Sequence, residues 1–427
     1  MSDITVGFVG MTHLAINSIA AMAARGFDVV GFDPDNNRTY ALDRGELPFT
    51  EPDLPEYFAK HGQRMTFSSD TKILERCDVV YVAPDVTTDD RGASDLEPLF
   101  DLIGIANASM RDDAILVILS QVPPGFTRRL TRTKSTLFCQ VETLIFGRAV
   151  ERAMHPERYI VGCDDPAKPL PPAFAEVLKR YHCPVLPMRY ESAELCKISI
   201  NMFLVASVTT SNVIGELCEA IGADWSEIAP ALRLDRRIGP HAYLNPGLGI
   251  SGGNLERDLT TFCNFSDEHG TDSSMVRAWI GNSSYRKDWP LRVLHRYVLA
   301  QSDVSVLGLL GLTYKENTNS IKNSPSLRLL HALKSIEIRA YDPAAPEAED
   351  YHPNFTRLDA AIDAVDGVVA LVIMTPWPEF RALSPVEIAS RMRGDTVIDP
   401  YRMLDPQACA DAGLRHIVLG RQHAGET

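Results

Sequence analysis

This 427-residue chain predicts two open, doubly wound α/β domains of parallel sheet joined by a central helical segment. Three observations carry that expectation. Short apolar runs alternate with helical patterns in the first and last stretches, as buried parallel strands and their crossover helices do. The first apolar run opens into a small-residue turn, and the second ends in an acid. Between the two α/β stretches the pattern turns helical, with few breakers.

Ile4-Thr-Val-Gly-Phe-Val9 reads as the first strand, and a helical pattern follows through Ser18-Ile-Ala-Ala-Met-Ala-Ala. Phe27-Asp-Val-Val-Gly-Phe-Asp33 is the second strand. Val79–Ala83, Ala114–Leu119 and Tyr159–Gly162 continue the series, with right-handed crossovers expected between parallel neighbours. From about Ser192 the rhythm changes. Ala193–Ile221 is one long helical stretch, Asp235–Gly253 is polar and glycine-rich, and helical pattern resumes to about Val298. The α/β alternation restarts with Val304–Gly311, Glu337–Asp342, Gly367–Ile373 and Thr396–Asp399. The expected domains are therefore residues 1–190, 191–298 and 299–427. Two open sheets provide two crevices at strand ends, each suited to a nucleotide.

Hydrophobic residues make up 45% of the chain and charged residues 23%, enough apolar material for two or three cores. The net charge of −14 argues against nucleic acid or an anionic membrane as partner, since both reward clustered Lys and Arg. Small phosphorylated ligands are compatible with it, because they need only a few local cations and backbone amides. The eight cysteines are scattered, with no C-x-x-C pair and no zinc spacing, so no metal is expected and the thiols read as reduced. The opening MSDITVGFVG has no basic segment before its apolar run, and no apolar run looks long enough for a bilayer. A cytoplasmic protein is expected.

The first turn reads Gly10-Met11-Thr12-His13-Leu14-Ala15, a G-x-T-x-x-A version of the G-x-G-x-x-G found in Rossmann-like dinucleotide domains. Gly10 supplies the tight turn and Ala15 permits close helix–strand packing, while Thr12 stands where a glycine would let the backbone reach a pyrophosphate. Asp33, ending the second strand, suits a ribose 2′-OH and would repel a 2′-phosphate, which favours NAD over NADP. A ligand-free α/β turn remains the other reading of these residues alone.

Longer segments then point one way. They are Gly45-Glu-Leu-Pro-Phe-Thr-Glu-Pro-Asp-Leu54, Ser192-Ala-Glu-Leu-Cys-Lys-Ile-Ser-Ile-Asn201, Arg237-Ile-Gly and Asn245-Pro-Gly-Leu-Gly249. In the last third they are Gly311-Leu-Thr-Tyr-Lys-Glu-Asn-Thr318, Ser324-Pro-Ser-Leu-Arg-Leu, Tyr341-Asp-Pro343, Thr375-Pro-Trp-Pro-Glu-Phe380 and Asp399-Pro-Tyr-Arg402. In this order and spacing the chain resembles the UDP-glucose/GDP-mannose dehydrogenase family along nearly all its length. The resemblance implies an NAD-binding first domain, a helical dimerisation segment and a nucleotide-sugar-binding last domain. It also implies oxidation of a sugar alcohol to a carboxylate with two NAD, through a thiohemiacetal and thioester on a cysteine.

Carried over residue by residue, Lys197 would stabilise oxyanion charge, Asn201 would position the sugar or a water, and Asp258 would share protons with the lysine. Lys197 and Asn201 stand four apart, one turn on one helix face. Glu142 matches the candidate base for hydrolysis, with Thr143 and Leu144 beside it on the sugar. Arg38, Ser120, Arg257 and Lys322 match cofactor contacts, along with Met11, His13 and Asp33. Arg237 corresponds to a residue that crosses a dimer interface to the partner's substrate, and so implies a homodimer. Asn245, Gly249 and Gly252 would wrap the sugar and diphosphate, and Lys315 and Arg402 would supply local positive charge. Each of these cations alone reads as a solvated surface charge.

The departures concern the second half of that chemistry. The family's Gly-Gly-x-Cys-Phe-Pro-Lys-Asp loop is Ser251-Gly-Gly-Asn-Leu-Glu-Arg-Asp258 here, so the nucleophilic cysteine is Asn254. A carboxamide nitrogen is not nucleophilic and forms no thioester. The second family glutamate is Phe146, the threonine after Ser120 is Gln121, and Asn-Pro before Glu142 is Gln140-Val141. Cys196 and Cys263 read as core residues rather than substitutes. Three readings stay open: a single two-electron oxidation or redox-neutral use of NAD, acid formation through a hydrated aldehyde, and a non-catalytic binder of nucleotide sugar and NAD.

Overall fold

The structure, a computed structural model, describes residues 4–87, 94–130, 136–142, 144–300, 304–347 and 351–422. The chain divides into two units, Met1–Ile200 and Asn201–Thr427. The division falls inside one continuous 32-residue helix, Tyr190–Ile221.

In the first unit the strands are β1 (Thr5–Val9), β2 (Asp28–Phe32), β3 (Met65–Ser68), β4 (Val79–Val82), β5 (Ile115–Ile118), β6 (Thr136–Val141), β7 (Tyr159–Cys163) and β8 (Val185–Arg189). Their order in the sheet is β3-β2-β1-β4-β5-β6-β7-β8. Every pairing is parallel except β6 with β7, which is antiparallel and reverses the last two strands. The expected parallel sheet is present, with that one antiparallel joint. Alternation of side chains along the strands builds two cores. Val6, Phe8, Val29, Tyr81 and Val117 face one layer, and Val9, Val30, Val82 and Leu116 face the other. The first helix, His13–Ala24, packs a nearly uninterrupted row of Ala, Ile and Leu into the first of these layers.

The second unit has β9 (Val306–Leu310), β10 (Glu337–Tyr341), β11 (Phe355–Arg357), β12 (Ala370–Ile373), β13 (Thr396–Ile398) and β14 (Arg415–Ile417), all parallel, in the order β11-β10-β9-β12-β13-β14. Its turn closes as the first unit's does, by an acid after the second strand accepting the amide that follows the turn glycine. Asp33 accepts from Met11 at 2.7 Å, and Asp342 accepts from Leu312 at 2.7 Å. Asp342 also accepts from the Thr313 amide and hydroxyl, Trp377 Nε1, and the Ala344 and Ala345 amides.

The sequence suggests no apolar run long enough for a bilayer, yet Tyr190–Ile221 is a helix of that length and hydropathy. Its buried polar residues tie it into protein. Glu194 accepts the Gly125 and Thr127 amides in the first unit, and Asn212 accepts the Gly247 amide in the second. On its outer side Phe203, Val213, Leu217 and Ile221 stay exposed in the single chain.

Candidate functional site

Gly10 holds the first turn at φ +89°, where a side chain would press on Leu102 and Pro84. The turn delivers the Met11 amide to Asp33, which is 3% exposed and also accepts from Asp35 N at 3.0 Å and Arg38 Nη1 at 3.0 Å. Thr12, before the helix, does not cap it. Its hydroxyl donates to Ala83 O at 3.1 Å and accepts from the Asp85 amide at 3.0 Å, tying the turn to the loop after β4. The helix amides of His13 and Leu14 point instead to the Asp85 carboxylate, with His13 N at 3.1 Å from Oδ2. An anion is therefore already accommodated where a dinucleotide fold receives its pyrophosphate. Ser120 is buried and donates to Pro84 O at 2.6 Å, and Gln121 is half-buried.

His13 Nε2 lies 2.9 Å from Glu51 Oε2, with the imidazole between Phe49 and Phe146 at centroid separations of 4.7 and 4.2 Å. Glu51 is 3% exposed and accepts the Gly147 and Ala149 amides at 3.1 and 2.8 Å. Burial acts to raise its carboxyl, but His13 and the two amides outweigh burial and hold it below the usual range. Asp85 and Glu51 are the residues the sequence reading missed. Glu51 lay inside a quoted family segment, but nothing local marked its partners.

Glu142 follows β6 and lines a small cavity of mixed polar and apolar character with Tyr81, Gln140, Leu119, Arg152, Tyr159 and Tyr181. Tyr81 donates to Gln140 Oε1 at 3.2 Å across it. Thr143 lies outside the described residues, and Leu144 packs half-buried on the adjoining core. Lys197 is half-buried on the long helix, one turn before Asn201.

In the second unit Asn201 is buried and donates from Nδ2 to Asp258 Oδ2. Asp258, 1% exposed, takes Arg257 Nε on its other oxygen at 3.3 Å. These three residues form one buried cluster at the first turns of the helix Asn254–His269. Asn254 opens that helix and is exposed. The loop before it is stitched down on several sides. Ile250 N donates to Ser283 Oγ at 2.8 Å, Gly252 N to Lys322 O at 3.2 Å, and Asn323 Nδ2 to Gly252 O at 3.1 Å. Gly249 sits at φ +80° with Ser283 O where its side chain would be, so no other residue fits this approach. The Lys322 side chain runs beside Gly253, and Lys287 and Asn323 both bond Glu256.

The remaining expected contacts sit on partners of their own. Lys315 is half-buried with Nζ 5.8 Å from the centroid of the Tyr314 ring, whose edge crowds Gly252. Asn245 accepts from Arg233 at 3.0 Å, and Arg237 is exposed and forked on Asp235 at 2.7 Å. Arg402, at φ +53°, donates to Asp224 at 2.8 Å. Among the described residues no group of three or more His, Cys, Asp or Glu is arranged for a metal ion. Cys263 is buried against Val205, Ile250 and Leu259, and burial pushes its thiol up.

Three models of one family match in succession: its NAD binding domain over residues 4–181, its central domain over 191–283, and its UDP binding domain over 308–406. The chain belongs to the UDP-glucose/GDP-mannose dehydrogenase family. It is 29% identical to YtcA of Bacillus subtilis over 430 residues, covering 97% of this chain and 99% of that protein. It is 26% identical to the UDP-glucose 6-dehydrogenase of Rickettsia conorii, covering 97% and 99%. Its fold is similar to that of a UDP-glucose dehydrogenase from Pyrobaculum islandicum, with a TM-score of 0.81 at 24% identity over 93% of this chain and 94% of that one. This member of the dehydrogenase family is an NAD-dependent oxidoreductase of the nucleotide-sugar type. The Gly10 turn and Asp33 lie in its NAD-binding domain, and the Gly311 turn and Asp342 in its UDP-binding domain.

Proposed function

We propose that this chain oxidises one alcohol of a UDP-activated hexose to a carbonyl in a single two-electron step and releases it there. The observation that carries this reading is Asn254, an exposed carboxamide at the start of a helix whose next turn holds the buried Asp258–Asn201–Arg257 cluster. By the resemblance Asn254 stands at the nucleophile's position. Its nitrogen lone pair is delocalised, so it adds to no aldehyde and carries no acyl group. The cluster is what the first oxidation needs. Asp258, fixed by Asn201, serves with Lys197 to receive the alcohol proton, and Lys197 stabilises developing negative charge at the sugar oxygen.

NAD supplies the hydride acceptor when bound. Gly10, the amides that follow it, Asp33 and Arg38 are the residues suited to hold it, with Ser120, Gln121, Arg257 and Lys322 as further contacts. Asn245, Gly249 and Gly252 shape the sugar–diphosphate loop, with Leu144, Lys315 and Arg402 as substrate contacts and Glu142 as a water-holding acid. The eight unpaired thiols suit a reducing cytoplasm. The exposed Phe203, Val213, Leu217 and Ile221 make a stripe suited to a second copy of the chain, with Arg237 reaching that copy's substrate.

The test is the NADH yield per sugar consumed, with limiting UDP-glucose first and the product mass read alongside. One NADH and a carbonyl product are expected. Two NADH with a carboxylate would mean that the aldehyde is hydrated and oxidised without a thiol, and would overturn the reading. An altered sugar with no NADH would overturn it too, in favour of redox-neutral chemistry.

A further inference from the structure

In a doubly wound sheet the pyrophosphate of a dinucleotide lies on the amides that open the helix after the first strand. Those amides belong here to His13 and Leu14, and both are directed at the Asp85 carboxylate. The contact is built rather than incidental. Thr12, in place of the glycine expected at that point of the turn, binds Ala83 O and the Asp85 amide through one hydroxyl. The residue that narrows the turn is thus the residue that aims the loop carrying Asp85. The His13 side chain turns away to Glu51 between two phenyl rings. The Asp85 residue is exposed, which leaves its side chain space on the solvent side.

We infer that Asp85 is an internal anion occupying the pyrophosphate seat, and that NAD binds only after this side chain swings away. The inference rests on the NAD-dependent reading of the first unit. A carboxylate and a diphosphate cannot share two amides without strong repulsion, so the residue acts as a built-in competitor. Its effect is specific to ligands that bring phosphate to this place. An adenosine group, which uses the Asp33 end of the crevice, does not meet it. Asp85 therefore sets cofactor affinity and speeds release of the reduced cofactor without touching the reacting sugar.

The experiment is a calorimetric titration of the full chain, as wild type, Asp85→Asn and Asp85→Ala, with NAD, ADP and adenosine in turn. Thermal melting accompanies each variant to show that the fold is kept. Both variants should bind NAD and ADP roughly tenfold more tightly, the scale of removing one charge from a helix N-terminus, with adenosine unchanged. Unchanged or weaker binding of NAD and ADP overturns the inference, as does equal tightening for adenosine, which would place the effect outside the phosphate seat. A wild type that binds NAD beside variants that bind no tighter sinks this inference alone. Failure of all three proteins to bind NAD or ADP sinks the NAD-dependent reading with it.

Discussion

Asn201 donates its carboxamide to Asp258, joining two residues 57 positions apart inside the second unit. The bond fixes a buried carboxylate whose other oxygen takes Arg257 Nε at 3.3 Å. Replacing Asn201 with Ala removes one buried hydrogen bond to that carboxylate, at a cost of about 1–3 kcal/mol. Asp258→Asn should keep the packing but remove the proton acceptor. Its kcat should fall on the order of 10²–10⁴-fold, with KM for the nucleotide sugar little changed. Steady-state kinetics and thermal melts on both variants check the pair. A rise in KM alone for Asp258→Asn would count against a role in the chemical step.

Asn254→Cys places a thiol at the exposed first position of its helix, where partial positive charge favours thiolate. The thiol should add to the aldehyde, and a second NAD should oxidise the thiohemiacetal to a thioester. Phe146 and Gln121 replace two groups that assist hydrolysis, so with Glu142 alone the acyl-enzyme should turn over slowly and accumulate. Intact-protein mass after incubation with UDP-glucose and NAD reads this directly. An unmodified protein with still one NADH per sugar would show that the sugar does not reach position 254.

Glu51 should make stability depend on acid. Its folded carboxyl sits below the ordinary value of 4.5, so protonation is harder in the folded chain than in the unfolded one. The stabilisation is complete above that value and is lost as pH falls through the lower folded pKa. Glu51→Gln keeps the shape and loses the charge. It should melt earlier at neutral pH, and the gap to wild type should narrow as pH falls below the ordinary value of 4.5. A gap independent of pH would assign the loss to packing alone.

The exposed stripe on the long helix predicts an assembly. Leu217→Arg with Ile221→Arg should turn a dimer into a monomer by light scattering, with each chain still folded. Arg237→Ala should leave the dimer intact and raise KM for the nucleotide sugar several-fold, as loss of one charged hydrogen bond does. A monomeric wild type would remove both expectations.

The central strands and the Lys197–Asn201 spacing were legible because buried parallel strands and helix faces write themselves in local pattern. β3, β8, β11 and β14 were not. They are short or mixed in character and lie at or near sheet edges, and β8 carries Pro187 and Arg189 where one side meets solvent. β6 hid for another reason: Thr136 and Gln140 interrupt its apolar run at the joint where the sheet reverses. Asp85 and Glu51 sit in polar stretches that look like ordinary loops. Their meaning exists only after folding brings positions 13, 51 and 147 together.

The twin turn closures have a further consequence, seen by counting lone pairs. A carboxylate has about four places for donors. Asp342 is saturated by Leu312, Thr313, Trp377, Ala344 and Ala345, all from its own unit. Asp33 takes Met11, Asp35 and the half-exposed Arg38, and keeps room for one donor more. In the proposed NAD site an acid is left with room for a ribose hydroxyl, whereas the matching acid of the second unit has none.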